Sequence, residues 1–233
     1  MQSKSTLVKK FFNSISSKYD QINSIISFGM DNLWRKKAIK IAKINKNDKC
    51  LDLCCGTGKF AHQISKIVSS NQIVYGLDIS EKMLEIAIKK SKAKPLKNVQ
   101  FILGDAMKLP FENDFFDVVI TGWGLRNIPD INVALSEINR VLKSGGKFVA
   151  LDMGKPKNFL IKKLFWFYLK YIVPLIGGIF SKNKQAYIYL YESSKKFPSP
   201  EELIKLLSKN GFKNTKYLNL GFGAVVIIYG EKN

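Results

Sequence analysis

Residues 51–60 read LDLCCGTGKF. An apolar run stops at an aspartate and two cysteines, and a Gly-Thr-Gly bend follows, so the stretch reads as a buried strand leading through a tight turn into a helix. A turn of that kind lets a ligand come close to the backbone, and it suits a dinucleotide, a metal or another adenosine-bearing cofactor. Read as G-x-G-x-x-A through Ala61, with Asp78 twenty residues beyond Gly58, it satisfies the dinucleotide fingerprint.

Two further carboxylates favour a different ligand. Asp52 stands ahead of the glycines, where it would attract an ammonium group and repel a pyrophosphate. Gly104-Asp105-Ala106 follows a later apolar run, so Asp105 can accept a hydrogen bond from an adenine amino group. Asp52, Asp78 and Asp105 around Gly56, Thr57 and Gly58 therefore point to S-adenosyl-L-methionine, with Asp78 on the ribose.

Outward from this turn, apolar runs at 49–54, 72–77, 99–103, 116–121 and 147–151 alternate with helical spacing that opens near Gly58, Ser80 and Asp130. That alternation predicts an α/β fold, a parallel sheet with helices on both faces. Ser80 is a good N-cap, with Glu81 in the first turn, and KSGG at 143–146 is a helix stop. Ser199-Pro200-Glu201-Glu202 opens a later helix, after which 216–220 and 224–230 are predicted as two strands pairing antiparallel at the sheet edge. The aromatic, lysine-punctuated stretch 155–198 is predicted as a helical lid over a substrate, and 1–45 as a helical N-terminal region, all within one domain spanning 1–233.

Composition narrows the function classes. No run of about eighteen uninterrupted apolar residues occurs, and the N-terminus lacks the apolar core of a secretory signal, so a soluble cytoplasmic chain is expected. The only cysteines, Cys50, Cys54 and Cys55, lie within six positions of each other, which excludes a disulfide framework spanning the fold. With His62 the only histidine, they read as small buried residues, and no metal site is expected. The formal charge of +20 is almost all lysine, arginine occurring only at Arg35, Arg126 and Arg140. Such a surface reads as solvated lysine, and no nucleic-acid partner is expected.

Longer stretches carry a resemblance. The segments at 11–39 (with SSKYDQINSIISFG), 51–60, 76–80, 104–119, 123–130 (WGLRNIPD), 137–156 and 187–203 (YIYLYESSKKFPSPEEL) are similar to the ubiquinone/menaquinone biosynthesis C-methyltransferase family. The resemblance implies a Rossmann-like class I methyltransferase fold, a seven-stranded, mostly parallel sheet with one antiparallel edge strand. It also implies ring C-methylation of a polyprenylated quinol from S-adenosyl-L-methionine; the paired cysteines lean towards the menaquinone branch. By the same resemblance Thr57, Asp78, Ile79, Asp105 and Ala106 contact the cofactor, joined by Gly122 through its backbone. Tyr19, Trp123, Arg126, Tyr187 and Tyr189 surround the acceptor. The chain departs from the family at Lys59, often acidic there, at Gly122, often serine, and at Asp152, often glutamate.

Transfer to a ring carbon needs a hydroxyl proton removed and the resulting oxyanion steadied by a cation. Arg126 is the candidate cation, and Asp152, a water, or Tyr19 with Asp20 is the candidate base. A quinol of this kind resides in a bilayer, so peripheral membrane contact is expected, with Phe165, Trp166, Phe167 and Tyr168 either lining a tail groove or entering the interface. A homodimer is compatible with the same reading. Competing readings are methylation of another small molecule or lipid, and a non-catalytic cofactor-binding component of a biosynthetic complex.

Overall fold

The computed structural model describes residues 4–93 and 98–233. Three helices come first: α1 (Lys4–Ile15), α2 (Tyr19–Ile26) and α3 (Asp31–Ala42). The alternating part follows as β1 (Cys50–Leu53), α4 (Lys59–Ile64), β2 (Val74–Asp78), α5 (Glu81–Lys92), β3 (Val99–Leu103), β4 (Phe116–Gly122), α6 (Ile131–Val141) and β5 (Leu142–Met153). An insertion of three helices, α7 (Phe159–Phe167), α8 (Val173–Ser181) and α9 (Lys184–Lys196), precedes α10 (Pro200–Lys209), β6 (Phe212–Leu220) and β7 (Val225–Lys232).

The seven strands form one sheet in the order β3-β2-β1-β4-β5-β7-β6. β1 lies parallel to β2 and β4, with Asp52 opposite Gly76 and Ile120, so the winding reverses between β1 and β4. A crevice at the carboxyl ends of the strands is the consequence of that reversal. The antiparallel element sits at the far edge, where β7 inserts between β5 and β6 and pairs antiparallel with both.

The sheet is buried on both faces, which is why its strands read as continuous apolar runs. Leu51, Leu53, Val119 and Phe148 face one core with α6 and α10, and Cys50, Phe60, Val118 and Ile120 face the other with α3 and α4. A third apolar cluster lies beyond the strand ends, where Ile15 and Ile22 of the N-terminal helices meet Leu169, Val173 and Tyr187 of the insertion.

The predicted helix starts hold. Ser80 accepts from Met83 N–H, Asp130 from Asn132 and Val133 N–H, and Ser199 with Glu202 makes a reciprocal capping box. One boundary differs. α6 ends at Val141, and 142–146 pair as the irregular first part of β5, with a register shift against β4 between Phe116 and Val118. Gly145 takes a positive φ of 73° in that irregular stretch, so the glycines signalled a bulge as well as a stop.

α7, a π-helical turn over Tyr168–Ile172 and α8 run on as a single helix, Phe159–Ser181. Pro174 has no N–H to offer the carbonyl of Lys170, and the wider turn absorbs that missing bond. By length and composition this helix is apolar enough to cross a membrane.

Candidate active site

Three strand ends build one wall of a slot. Cys55 N–H donates to the Leu77 carbonyl, and Gly56, at a φ of 55°, donates its N–H to Asp78 Oδ2 at 2.8 Å, so the glycine turn is tied to the end of β2. Asp78 Oδ1 accepts Ser80 N–H at 2.9 Å, and Asp105 Oδ1 accepts Met107 N–H at 2.9 Å, closing the turn after β3. Burial pushes the Asp78 carboxyl up, opposed by the Ser80 and Gly56 N–H groups. The slot is lined by Gly56, Asp78, Ile79, Asp105, Ala106 and Gly122 of the expected set, and also by Cys54, Trp123 and Asn127.

Asp52, Thr57 and Gly58 shape the slot from behind and do not line it. Asp52 is 1% exposed; its Oδ2 accepts Ala61 N–H at 2.8 Å at the start of α4, and its Oδ1 has no partner among the described residues. Burial raises its carboxyl from 3.8 to about 7. The Thr57 hydroxyl donates to both oxygens of Asp20, at 2.9 and 3.0 Å. Gly58 caps α4 in the left-handed region with Phe101 Cζ only 2.9 Å from where a Cβ would stand. Gly122 is equally constrained: a Cβ there would lie 2.6 Å from the Phe60 ring, so a serine at this position would collide with it.

The opposite wall belongs to the N-terminal helices, through Ser5, Val8, Phe12 and Tyr19. Of these, Tyr19 was expected at the site and 1–45 was expected to be helical, whereas Ser5, Val8 and Phe12 of α1 were not singled out in the sequence. Four polar ties hold this roof down. Lys4 Nζ donates to the Arg126 and Ile128 carbonyls at 3.2 and 2.7 Å, Lys9 pairs with Glu81, and Ser80 Oγ donates to Asn13 Oδ1 at 2.6 Å. The fourth is Asp20, which meets Thr57, Lys90 and, at 3.6 Å, Lys59. Burial works against the Asp20 charge, but Lys90, Lys59 and Thr57 outweigh it and hold the carboxyl below its ordinary value. Lys59 also sits 2.8 Å from Asp31, which accounts for a lysine at a position often acidic in the resembled family.

A second cavity of about 580 Å³ opens beside the slot. Its wall is mostly apolar, from Phe11, Ile15, Ile26, Trp34, Phe165, Leu169 and Leu190, and Tyr187 and Tyr189 also line it. Phe12, Tyr19, Trp123 and Asn127 line both spaces, so the two meet there.

The charged centre beside that junction is Arg126 with Asp152. One Arg126 guanidinium nitrogen bonds Asp152 Oδ1 at 2.9 Å and the Trp123 carbonyl at 2.7 Å, while its Nε, also buried, has no partner among the described residues. Asp152 is wholly buried on β5 against Arg126 and lines neither cavity. Tyr189 keeps a buried, unpartnered hydroxyl, and burial raises it, with Arg126 opposing. Tyr19 is likewise raised by burial and opposed by Arg126 and Arg35. Arg35, absent from the expected set, bonds Asp31 at 2.8 Å and stacks 4.5 Å from the Trp123 ring. Asn127, within the GLRN motif but not singled out, donates to the Trp123 carbonyl at 3.0 Å.

His62, on α4, is buried with Nε2 2.7 Å from Ser91 Oγ, and Cys50 and Cys55 are buried free thiols.

Residues 1–232 match the ubiE/COQ5 methyltransferase family along nearly the whole chain. The chain belongs to that family. Over 228 residues it is 42% identical to the demethylmenaquinone methyltransferase of Staphylococcus aureus strain JH9, covering 97% of this chain and 94% of that protein. Among solved structures, the S-adenosylmethionine-dependent methyltransferase of Thermotoga maritima, described as a possible histamine N-methyltransferase, superposes with a TM-score of 0.69 at 24% identity, over 96% of this chain and 99% of that one. A methyltransferase of the same dependence from Aquifex aeolicus gives 0.65 at 18% identity, over 85% and 89% of the two chains. At these identities the structural matches speak to the fold, and this ubiE/COQ5 family member has the Rossmann-like class I methyltransferase architecture.

Proposed function

We propose that this protein methylates a ring carbon of a polyprenylated quinol, demethylmenaquinol foremost, with S-adenosyl-L-methionine as methyl donor. The observation that carries the reading is the meeting of a slot bordered by the carboxylates Asp78 and Asp105 with a large apolar cavity at Tyr19, Trp123 and Asn127, next to a buried arginine. Carboxylates at successive strand ends and a side-chain-free turn at Gly56 suit a cationic nucleoside, and the apolar cavity suits a ring with a prenyl tail. The relative from Staphylococcus aureus, whose name gives demethylmenaquinone as its acceptor, points the same way.

In this reading Asp78 faces the ribose, Asp105 and Ala106 the base, and Gly56, Ile79 and Gly122 the slot wall. Asp52, Thr57 and Gly58 hold the turn in shape from behind it. The donor supplies an electrophilic methyl group, so the protein's part is to align a nucleophilic carbon and exclude water. Phe12, Tyr19 and Trp123 hold the ring at the junction. Arg126 steadies the oxyanion left when a ring hydroxyl gives up its proton, and its unpartnered Nε is the free donor for that bond. Asp152 lines neither cavity and orients Arg126, so in this reading the proton leaves through water or Tyr19. Tyr187 and Tyr189 border the ring and tail. The N-terminal helices and the 155–198 insertion together cover a single catalytic domain, which works at the cytoplasmic membrane surface.

The test is to supply methyl-labelled donor with demethylmenaquinol and, separately, with the methoxylated benzoquinol precursor of ubiquinone. Label on the naphthoquinol ring is expected; label in neither ring overturns the reading.

A further inference from the structure

Three separate segments place an apolar side chain at the mouth of the acceptor cavity: Phe28 after α2, Phe222 between β6 and β7, and Leu164 on α7. Phe28 and Phe222 are 81% and 85% exposed, and each adopts a left-handed backbone, φ 51° and 56°. A bulky aromatic is disfavoured there, and water gives its ring no compensation. Phe28 stacks on the Tyr168 ring at 5.8 Å and still stands largely in solvent, so strain and exposure together at these two rim positions mark a function beyond that contact.

The helix Phe159–Ser181 continues this surface. Leu169, Val173 and Gly177 on its inner side are buried, with the Tyr187 ring against Gly177. Its outer side carries Leu160, Leu164, Phe167, Tyr171, Leu175 and Ile179, all exposed, at steps of three and four residues that keep them on one stripe. Lys163 and Lys170 lie beside the stripe, and the helix holds no acidic residue. A second copy of this chain packed through the same stripe would set these lysines near one another, with no carboxylate on the helix to pair them, in a chain of formal charge +20. An anionic lipid surface meets both the stripe and its lysines. Because one side is packed on the protein, the helix lies along such a surface and does not cross it.

We propose that the outer face of this helix, with Phe28 and Phe222, docks on an anionic bilayer so that the acceptor cavity opens directly into the lipid. The tail of the acceptor then passes from bilayer to cavity without crossing water. This deepens the quinol reading and rests on it for that last step alone; the docking stands on the surface itself.

Flotation of the full chain with vesicles of phosphatidylcholine, and of equal parts phosphatidylcholine and phosphatidylglycerol, tests it. Binding to the phosphatidylglycerol vesicles that weakens with added salt is expected. Phe167→Glu combined with Leu175→Glu, both outside the cavity wall, should lower the vesicle partition by about tenfold or more, since two buried side chains leave the interface. Lys163→Glu with Lys170→Glu should lower it also, while methylation of a short-tailed soluble quinol stays as in the parent protein for both pairs. No partition, or equal partition of parent and variants, overturns the docking, as does a dimer in light scattering that Leu175→Glu breaks apart. Vesicle binding by a protein that labels no quinol would keep the docking and remove the acceptor reading, so the two fail separately.

Discussion

The slot takes its shape from backbone, whereas the acceptor cavity takes its shape from side chains. Within the slot, the sheet-side wall is built from strand ends and the turns that follow them: 52–61, 76–80 and 104–107 each close on a local hydrogen bond. The cavity instead gathers residues from Phe11 to Val225, mostly on helices that lie far apart in the chain. A site built from turns fixes what it binds by geometry, and a site built from packed helices adapts to the shape of an apolar tail. The two should therefore respond to different substitutions, and Arg126 at their boundary should affect both.

Arg126→Ala is expected to have the largest effect. It strands the wholly buried Asp152, and breaking a buried pair in this way costs about 3–5 kcal/mol. Urea unfolding should show that loss, and turnover with labelled donor should fall by about a hundredfold or more if Arg126 steadies the oxyanion. A variant with normal stability and turnover would remove the buried pair from both roles. Asp152→Asn should be milder in turnover than Arg126→Ala, since Asp152 acts only through Arg126.

Next come two glycines, one for each region. At Gly177 a Cβ would stand 2.0 Å from the Tyr187 ring, so Gly177→Ala forces α8 and α9 apart. At Gly58, φ is 77° and Phe101 leaves a Cβ only 2.9 Å, so Gly58→Ala strains the turn. Each should cost about 1–3 kcal/mol of stability. Their kinetic signatures should separate: Gly177→Ala raises KM for the quinol with donor affinity kept, and Gly58→Ala weakens donor binding by calorimetry with quinol KM kept. Equal damage to both ligands from either glycine would dissolve the distinction between the regions.

The same distinction explains what was legible in the sequence. Strand ends, the glycine turn, the caps at Ser80 and Asp130 and the carboxylates Asp78 and Asp105 are local signals, and they fall where the spacing placed them. Asp52 was legible as a strand-end carboxylate, but its direction was not, because side chains alternate across a strand and its partner is Ala61 N–H behind the turn. Tyr19 of the N-terminal roof was legible through the resemblance, but the α1 part of that roof and Arg35 were not, because their contacts run across the chain, as from Lys4 to Ile128. Lys59 looked out of place until Asp20 and Asp31 were beside it.

A pH dependence of opposite sign is also expected in the two regions. Asp52, behind the slot, is raised from 3.8 to about 7 by burial, so between those values the unfolded chain has released a proton that the folded chain keeps. Its contribution to stability is therefore fully present below the lower value and lost as pH rises through about 7, with a slope of no more than about 1.4 kcal/mol per pH unit. Asp78, also raised by burial, adds to the same trend. Asp20, the tie between the N-terminal helices and the slot, is lowered by Lys90, Lys59 and Thr57 against its own burial. Its contribution is present above the ordinary carboxylate range and lost as the solution is made more acidic. Asp52→Asn should flatten the decline of stability from acidic to neutral pH and leave the acid limb intact, and Asp20→Asn should do the reverse. Urea midpoints from pH 3 to pH 8, a window chosen to span the ordinary carboxylate range near ~4 and the raised value, read both limbs. A single profile unchanged by either substitution would show that the two carboxyls do not set the pH response of the regions they join.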